Sequence, residues 1–117
     1  MHSFIDDDNS MYKRFASYEE DHEDGEFLKC FYPPRLVSLQ LLVEDECDKL
    51  EFDGSIMFDQ YPDKVRLMGI ANRVEKKAKE DTKIDISVDR NLLEVMVINE
   101  VMRRRIRRRN CRKQGFC

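Results

Sequence analysis

The segment KLEFDGSIMFDQYPDKVRLMGI, Lys49–Ile70, carries the clearest local pattern of this chain. Apolar and polar residues alternate over Leu50–Phe58, and Gly54 stands at an apolar position of the pattern. Because successive side chains of a strand point to opposite faces, a period of two predicts a strand with one buried face. A central glycine is typical of a sharply bent strand. The segment therefore predicts two strands of a small β-barrel, joined by Asp59–Asp63.

The same alternation is present in Leu36–Glu44 and in Ile84–Val88, whereas Leu92–Ile98 is apolar on both sides, as expected for a strand that is buried on both faces. Together the patterns predict a mainly β fold, a small, strongly bent, five-stranded β-barrel, with a short helix before Pro33-Pro34. The predicted strands are Leu36–Glu44, Leu50–Asp59, Lys64–Ala71, Ile84–Val88 and Leu92–Ile98, with an exposed loop at Val74–Lys83 and a turn at Asp89–Asn91.

The last predicted strand has a competing interpretation. Leu92–Arg109 also fits an amphipathic helix. The alternating run Ile84–Val88 and the β-branched residues Val95, Val97 and Ile98 favour a strand. A short basic helix is predicted only after this strand, from Val101 onward.

The two ends carry opposite charges. Residues 1–30 contain nine acidic residues, and residues 103–117 contain eight basic residues and no acidic one. Like charges in one block resist burial and often act as interaction tails. The predicted organisation is an acidic arm at 1–26, a barrel at 27–101 and a basic tail at 102–117. The basic tail is consistent with three roles: it binds nucleic acid, it keeps the protein in solution, or it pairs with the acidic arm.

Neither a metal site nor a catalytic site is predicted. The four cysteines form no C-x-x-C pair, and both histidines lie in the acidic arm, so we expect free thiols, no metal and no cofactor. The sequence shows no nucleophile elbow and no phosphate-binding glycine loop. It also shows no signal peptide or long apolar run. These observations predict a non-catalytic intracellular protein without a membrane contact or a small-molecule substrate.

Two short motifs resemble those of the Sm/LSm family over residues 34–101. Gly54 and the run Phe58–Tyr61 match the bent-strand motif of that family, and Asn91 matches the turn between its last strands. Asp63 and Asp89 stand where the family has Asn and Arg. The resemblance implies a non-catalytic subunit of a ribonucleoprotein that acts in RNA processing or in the assembly of small nuclear ribonucleoproteins. It implies a location in the nucleus, or in both the nucleus and the cytoplasm. Its partners would be other Sm/LSm-like subunits, paired through strand edges, and RNA.

The candidate sites follow from this resemblance and from the basic tail. The candidate RNA-binding residues are Tyr61, Asp63, Arg90, Asn91, Arg103, Arg104, Arg105, Arg107, Arg108 and Arg109. The candidate subunit-interface residues are Leu92, Leu93, Val95, Val97, Ile56 and Phe58. Two alternatives remain open: an OB-fold subunit that binds single-stranded nucleic acid, and a protein adaptor without RNA contact.

Overall fold

The computed structural model describes residues 23–81, 89–113 and 115. Helices make up 78% of these residues, and the described ranges contain no strand. The elements are α1 (residues 23–29), α2 (Pro34–Asp48), a 3₁₀ helix (Ile56–Phe58), α3 (Lys64–Glu80) and α4 (Arg90–Lys113). The chain divides into two compact units, residues 32–105 and residues 1–31 with 106–117.

The predicted five-stranded barrel is wrong, and so is the mainly β fold class. Predicted strands one and three lie within α2 and α3, and predicted strand five lies within α4. Predicted strand two is an irregular segment with the 3₁₀ helix, and most of the predicted loop Val74–Lys83 belongs to α3. Predicted strand four (residues 84–88) and most of the predicted acidic arm (residues 1–26) lie outside the described residues. The OB-fold alternative requires a β-barrel as well, and the described residues contain no strand.

Local signals define where the helices begin. Pro34 occupies the first turn of α2, a position where the missing N–H of proline costs nothing. Asp63 precedes α3, and its carboxylate accepts a hydrogen bond from the backbone N–H of Val65 at 3.4 Å. Asp89 plays the same part for α4, because its carboxylate accepts from the N–H of Asn91 at 3.1 Å. The predicted turn Asp89–Asn91 is therefore the start of a helix.

The unit formed by residues 32–105 has one hydrophobic core. α2 and α3 pack against each other, and the 3₁₀ helix adds Met57, which is fully buried. The core residues are Leu39, Val43, Cys47, Met57, Met68, Ile70, Ala71, Val74, Ala78, Leu93, Met96, Val97 and Val101. In α3 and α4 they recur every three or four residues, as expected for one buried helix face.

Buried polar residues join the helices of this unit. Gln40 of α2 donates to Glu100 of α4 at 2.9 Å, and Arg104, one turn later on α4, donates to Asp48 at 2.8 Å. The later residue of α2 contacts the later residue of α4, so the two helices run in the same direction. Arg90, at the start of α4, donates to Glu75 of α3 at 3.1 Å.

The segment between α2 and α3 is held without regular strands. Gly54 has a φ of +87°, in the left-handed region that favours glycine. Ser55 then caps the 3₁₀ helix, because its hydroxyl accepts from the N–H of Met57 at 3.1 Å. Leu50 and Phe58 pack at the edge of the core. The glycine thus serves a turn and not a bent strand.

The other unit is described for residues 23–31, 106–113 and 115 only. On α1, the rings of Phe27 and Phe31 meet edge to face with centroids 5.3 Å apart, and both are exposed. Cys30 is an exposed free thiol, as is expected from the sequence, whereas Cys111 is disulfide-bonded. Among the described residues, no helix is long and apolar enough to cross a membrane.

Candidate protein-interaction surface

α4 is apolar on two opposite faces. One face, with Leu93, Met96, Val97 and Val101, lies in the core with at most 6% exposure. The opposite face carries three large apolar side chains at spacings of three and four residues. We call this set the outer stripe; it consists of Val95 (52% exposed), Ile98 (45%) and Met102 (49%).

This second apolar face is unusual for a helix on the surface of a small protein. A surface helix normally places polar residues opposite its buried face. Single exposed apolar residues need no explanation, but an aligned row of them on one helix marks a contact surface. The outer stripe is therefore the best candidate for a binding surface among the described residues.

The predicted interface residues are split by the helix. Leu93 and Val97 are buried in the core, while Leu92 and Val95 are exposed. Ile56 and Phe58 are the first and last residues of the 3₁₀ helix and are half-buried. The structure does not bring them together as one strand edge, and Val95 alone of these six belongs to the outer stripe. Ile98 lay within the predicted last strand but was not among the six residues, and Met102 lay beyond the predicted end of that strand.

Three of the arginines predicted to bind RNA are used inside the unit of residues 32–105. Arg104 is buried and donates to Glu100 at 2.9 Å and to Glu51 at 2.6 Å, besides Asp48. Arg103 donates to Glu100 at 2.6 Å. Arg105 donates to the backbone carbonyl of Met57, within the 3₁₀ helix, at 2.8 Å and to that of Asp59, directly after it, at 2.6 Å.

The other residues predicted to bind RNA lie apart from one another, and several of them already contact other residues of the chain. Arg90 donates to Glu75, Glu94 and Asn72, and Arg107 and Arg108 also have interaction partners. Arg109 is exposed at the end of α4. Tyr61 is 86% exposed in the segment before α3, and Asp63 and Asn91 lie in two helix starts. The structure does not assemble these residues into one base-binding pocket.

A second polar cluster surrounds the side chain of Glu46, which is only 1% exposed. Its carboxylate accepts from Arg73 at 2.9 Å, and it pairs with Lys77 at 2.6 Å and Lys49 at 2.9 Å. Burial by itself raises the pKa of this carboxyl, but the hydrogen bonds from Lys77, Lys49 and Arg73 prevail and lower the pKa to about 2. At neutral pH Glu46 is therefore charged, and its ion pairs with Arg73 and Lys77 join α2 to α3.

The neighbouring thiol is protected. Cys47 is fully buried, and burial raises its pKa to about 12 despite the nearby Arg104 charge. A thiol reacts as its thiolate, so Cys47 is an inert core residue. Among the described residues no group of three or more His, Cys, Asp or Glu side chains has a metal-binding arrangement.

Comparison of the chain with protein-family models, with characterised proteins and with solved structures gives no match. The resemblance to the Sm/LSm family therefore stays a prediction. The strand edges through which its members would pair are not present in the described residues.

Proposed function

We propose that this protein is a non-catalytic interaction module that binds a protein partner through the outer stripe of α4. The observation that carries the proposal is the exposure of Val95, Ile98 and Met102 on a helix whose opposite face is already in the core. This arrangement keeps the stripe on a rigid element, since the core holds α4 in place independently of any partner. Burial of such an apolar row is the usual driving force for association.

The charges of the tail support a protein partner over a nucleic acid. A nucleic-acid surface needs several cations free to neutralise phosphates. Arg104 is enclosed by carboxylates, and Arg103 and Arg105 hold internal acceptors, so much of the apparent positive charge serves the fold. Of the three functions open from the sequence, the protein adaptor agrees best with this arrangement.

The test compares partners of the full chain with those of two matched variants. Ile98→Glu places a charge on the outer stripe. Leu41→Glu places the same charge at an exposed apolar position of α2, which is 57% exposed, and serves as the control. We expect a protein that co-purifies from the native cells with the unchanged chain and with Leu41→Glu, and is lost with Ile98→Glu. The same pattern must recur when the two purified proteins are mixed.

Two outcomes would overturn the proposal. One is a partner that binds all three chains equally, which would place the binding surface elsewhere. The other is an association that nuclease treatment removes and that Arg109→Gln weakens while Ile98→Glu leaves it unchanged. That result would favour the RNA-binding prediction.

A further inference from the structure

We infer that the occupant of the outer stripe is a second copy of this chain, bound with the two α4 helices antiparallel. This inference rests on the proposed function, because it names the partner of the same surface. A symmetric dimer uses the same patch on both subunits, so the patch must complement itself. The outer stripe does this in shape, because its short row of three apolar side chains can interleave with an identical row across a two-fold axis.

The charges beside the stripe select the antiparallel orientation. Glu94 and Arg105 are eleven residues apart, which is about three helical turns, so they lie on the same flank of α4. One precedes the outer stripe and the other follows it. In an antiparallel pair centred on the stripe, Glu94 of each copy comes beside Arg105 of the other, and both copies gain the same ion pair.

Both side chains have hydrogen-bonding atoms left for this ion pair between the two copies. Glu94 is half-buried and accepts from Arg90 through Oε2 at 3.0 Å, which leaves its second oxygen for a partner. Arg105 donates to the carbonyls of Met57 and Asp59 through Nη1, and Nη2 and Nε remain for another acceptor. A guanidinium can serve several acceptors at once because it carries five N–H donors.

A parallel pair is disfavoured by the distribution of charge along α4. Its second half contains the basic residues Arg103, Arg104, Arg105, Arg107, Arg108, Arg109, Arg112 and Lys113 and no acidic residue. Parallel pairing would place two such halves side by side, with strong repulsion. Antiparallel pairing sets each basic half against the half that contains Glu94, and it also opposes the helix dipoles favourably.

The experiment measures the molar mass of the full chain by sedimentation equilibrium over a range of concentrations. We expect the unchanged chain and Leu41→Glu to form a dimer. We expect Ile98→Glu to raise the dimer dissociation constant at least about tenfold, because two charges would meet at the centre of an apolar contact. Circular dichroism of each variant shows whether the helices are retained.

Charge reversal tests the orientation independently. Glu94→Arg places arginine beside arginine in its own antiparallel dimer, and Arg105→Glu places glutamate beside glutamate. Each variant alone should therefore be mainly monomeric, whereas an equimolar mixture should dimerise again because both ion pairs reform. If Arg105→Glu does not fold, Arg105→Gln mixed with the unchanged chain replaces it and should give intermediate affinity.

Three results would overturn the inference. The first is an unchanged chain that is monomeric at all concentrations, and the second is a dimer that Ile98→Glu leaves intact. The third is a mixture of the charge-reversed variants that associates no better than either one alone. If the unchanged chain is monomeric but another protein binds in a stripe-dependent way, the inference fails and the proposed function stands. If Ile98→Glu changes neither self-association nor partner binding, both fail.

Discussion

Glu46 shows at the scale of one residue how a buried charge is held in this fold. Three cations, Lys49, Arg73 and Lys77, point at a carboxylate that has almost no contact with solvent. The cations themselves keep part of their side chains in water, so the cost of desolvation falls mainly on the carboxylate. The low pKa of Glu46 shows that the bonds from the cations more than offset this cost.

The first prediction concerns how Glu46 makes the stability of the protein depend on pH. The folded-state pKa of Glu46, about 2, is below its ordinary value of 4.5, so its stabilising contribution is complete above about pH 5 and is lost as the pH falls toward 2. The shift corresponds to roughly 3 kcal/mol. Glu46→Gln should therefore be less stable than the unchanged protein at pH 7, and the difference should shrink as the pH falls. Urea denaturation at several pH values measures it.

Glu80→Gln is the control for this prediction, because it removes an exposed carboxylate from the end of the same helix as Arg73 and Lys77. Its free energy of unfolding should follow that of the unchanged protein at every pH. An equal pH dependence in Glu46→Gln and the unchanged protein would show that Glu46 does not carry this linkage.

At the scale of the element, α4 depends on the residue that precedes it. The carboxylate of Asp89 accepts from the N–H of Asn91, and its backbone carbonyl accepts from the N–H of Leu93 at 3.1 Å. These contacts satisfy backbone groups that a helix end otherwise leaves unpaired. The negative charge also lies at the favourable end of the helix dipole.

The second prediction is that Asp89→Ala destabilises the protein by about 1 kcal/mol, because the cap is removed and no core contact changes. Asp89→Ser retains a capping oxygen and should lose a smaller part of that stability. The free energy of unfolding in urea, followed by circular dichroism, measures the difference. Equal stability of the alanine variant and the unchanged protein would show that the cap does not contribute.

At the scale of the whole unit of residues 32–105, Arg104 connects parts of the chain that are distant in sequence. It joins Glu100 of its own helix to Asp48 at the end of α2 and to Glu51 in the following segment. The hydrogen bonds to Glu100 and Asp48 outweigh the effect of its burial and hold the pKa of Arg104 above its ordinary value. The side chain is 8% exposed, so it is a core residue in spite of its charge.

The third prediction is that Arg104→Met destabilises the protein by about 3 kcal/mol, because the buried Glu100 then keeps only Arg103 as a cationic partner and the ion pairs of Arg104 with Asp48 and Glu51 are lost as well. Arg104→Lys keeps the charge but lacks the planar fork, and we expect an intermediate loss. Arg109→Met, at an exposed position of the same helix, should change the stability by no more than about 0.5 kcal/mol. Equal losses at positions 104 and 109 would contradict the role of Arg104. Thermal unfolding of the three variants provides the comparison.

Some of the fold and little of the candidate site could be predicted from sequence. The helical spacing in α4 is visible there, and the helix over Leu92–Arg109 was one of the two interpretations. Asp63 and Asp89 are of a residue type that caps helices, but the predicted strands placed them in a loop and a turn. The β-branched residues Val95, Val97 and Ile98 favoured the wrong one, because tertiary packing overrides a propensity of this size. The outer stripe could not be identified until the buried face of α4 was known.

The sequence by itself determined the apolar content of each element, the capping residues and the opposite charges of the two ends. The tertiary structure decided whether each apolar segment forms a strand, with a period of two residues, or a helix, with a period of 3.6 residues. Several core-facing positions of α2 and α4 are polar, namely Gln40, Glu46, Glu100 and Arg104, so the hydrophobic row of each helix is interrupted. Alternation then fits Leu36–Glu44 as well, and Leu92–Ile98 also fits a strand that is apolar on both sides. These residues are tolerated inside because partners from distant parts of the chain reach them, and no local pattern shows that pairing.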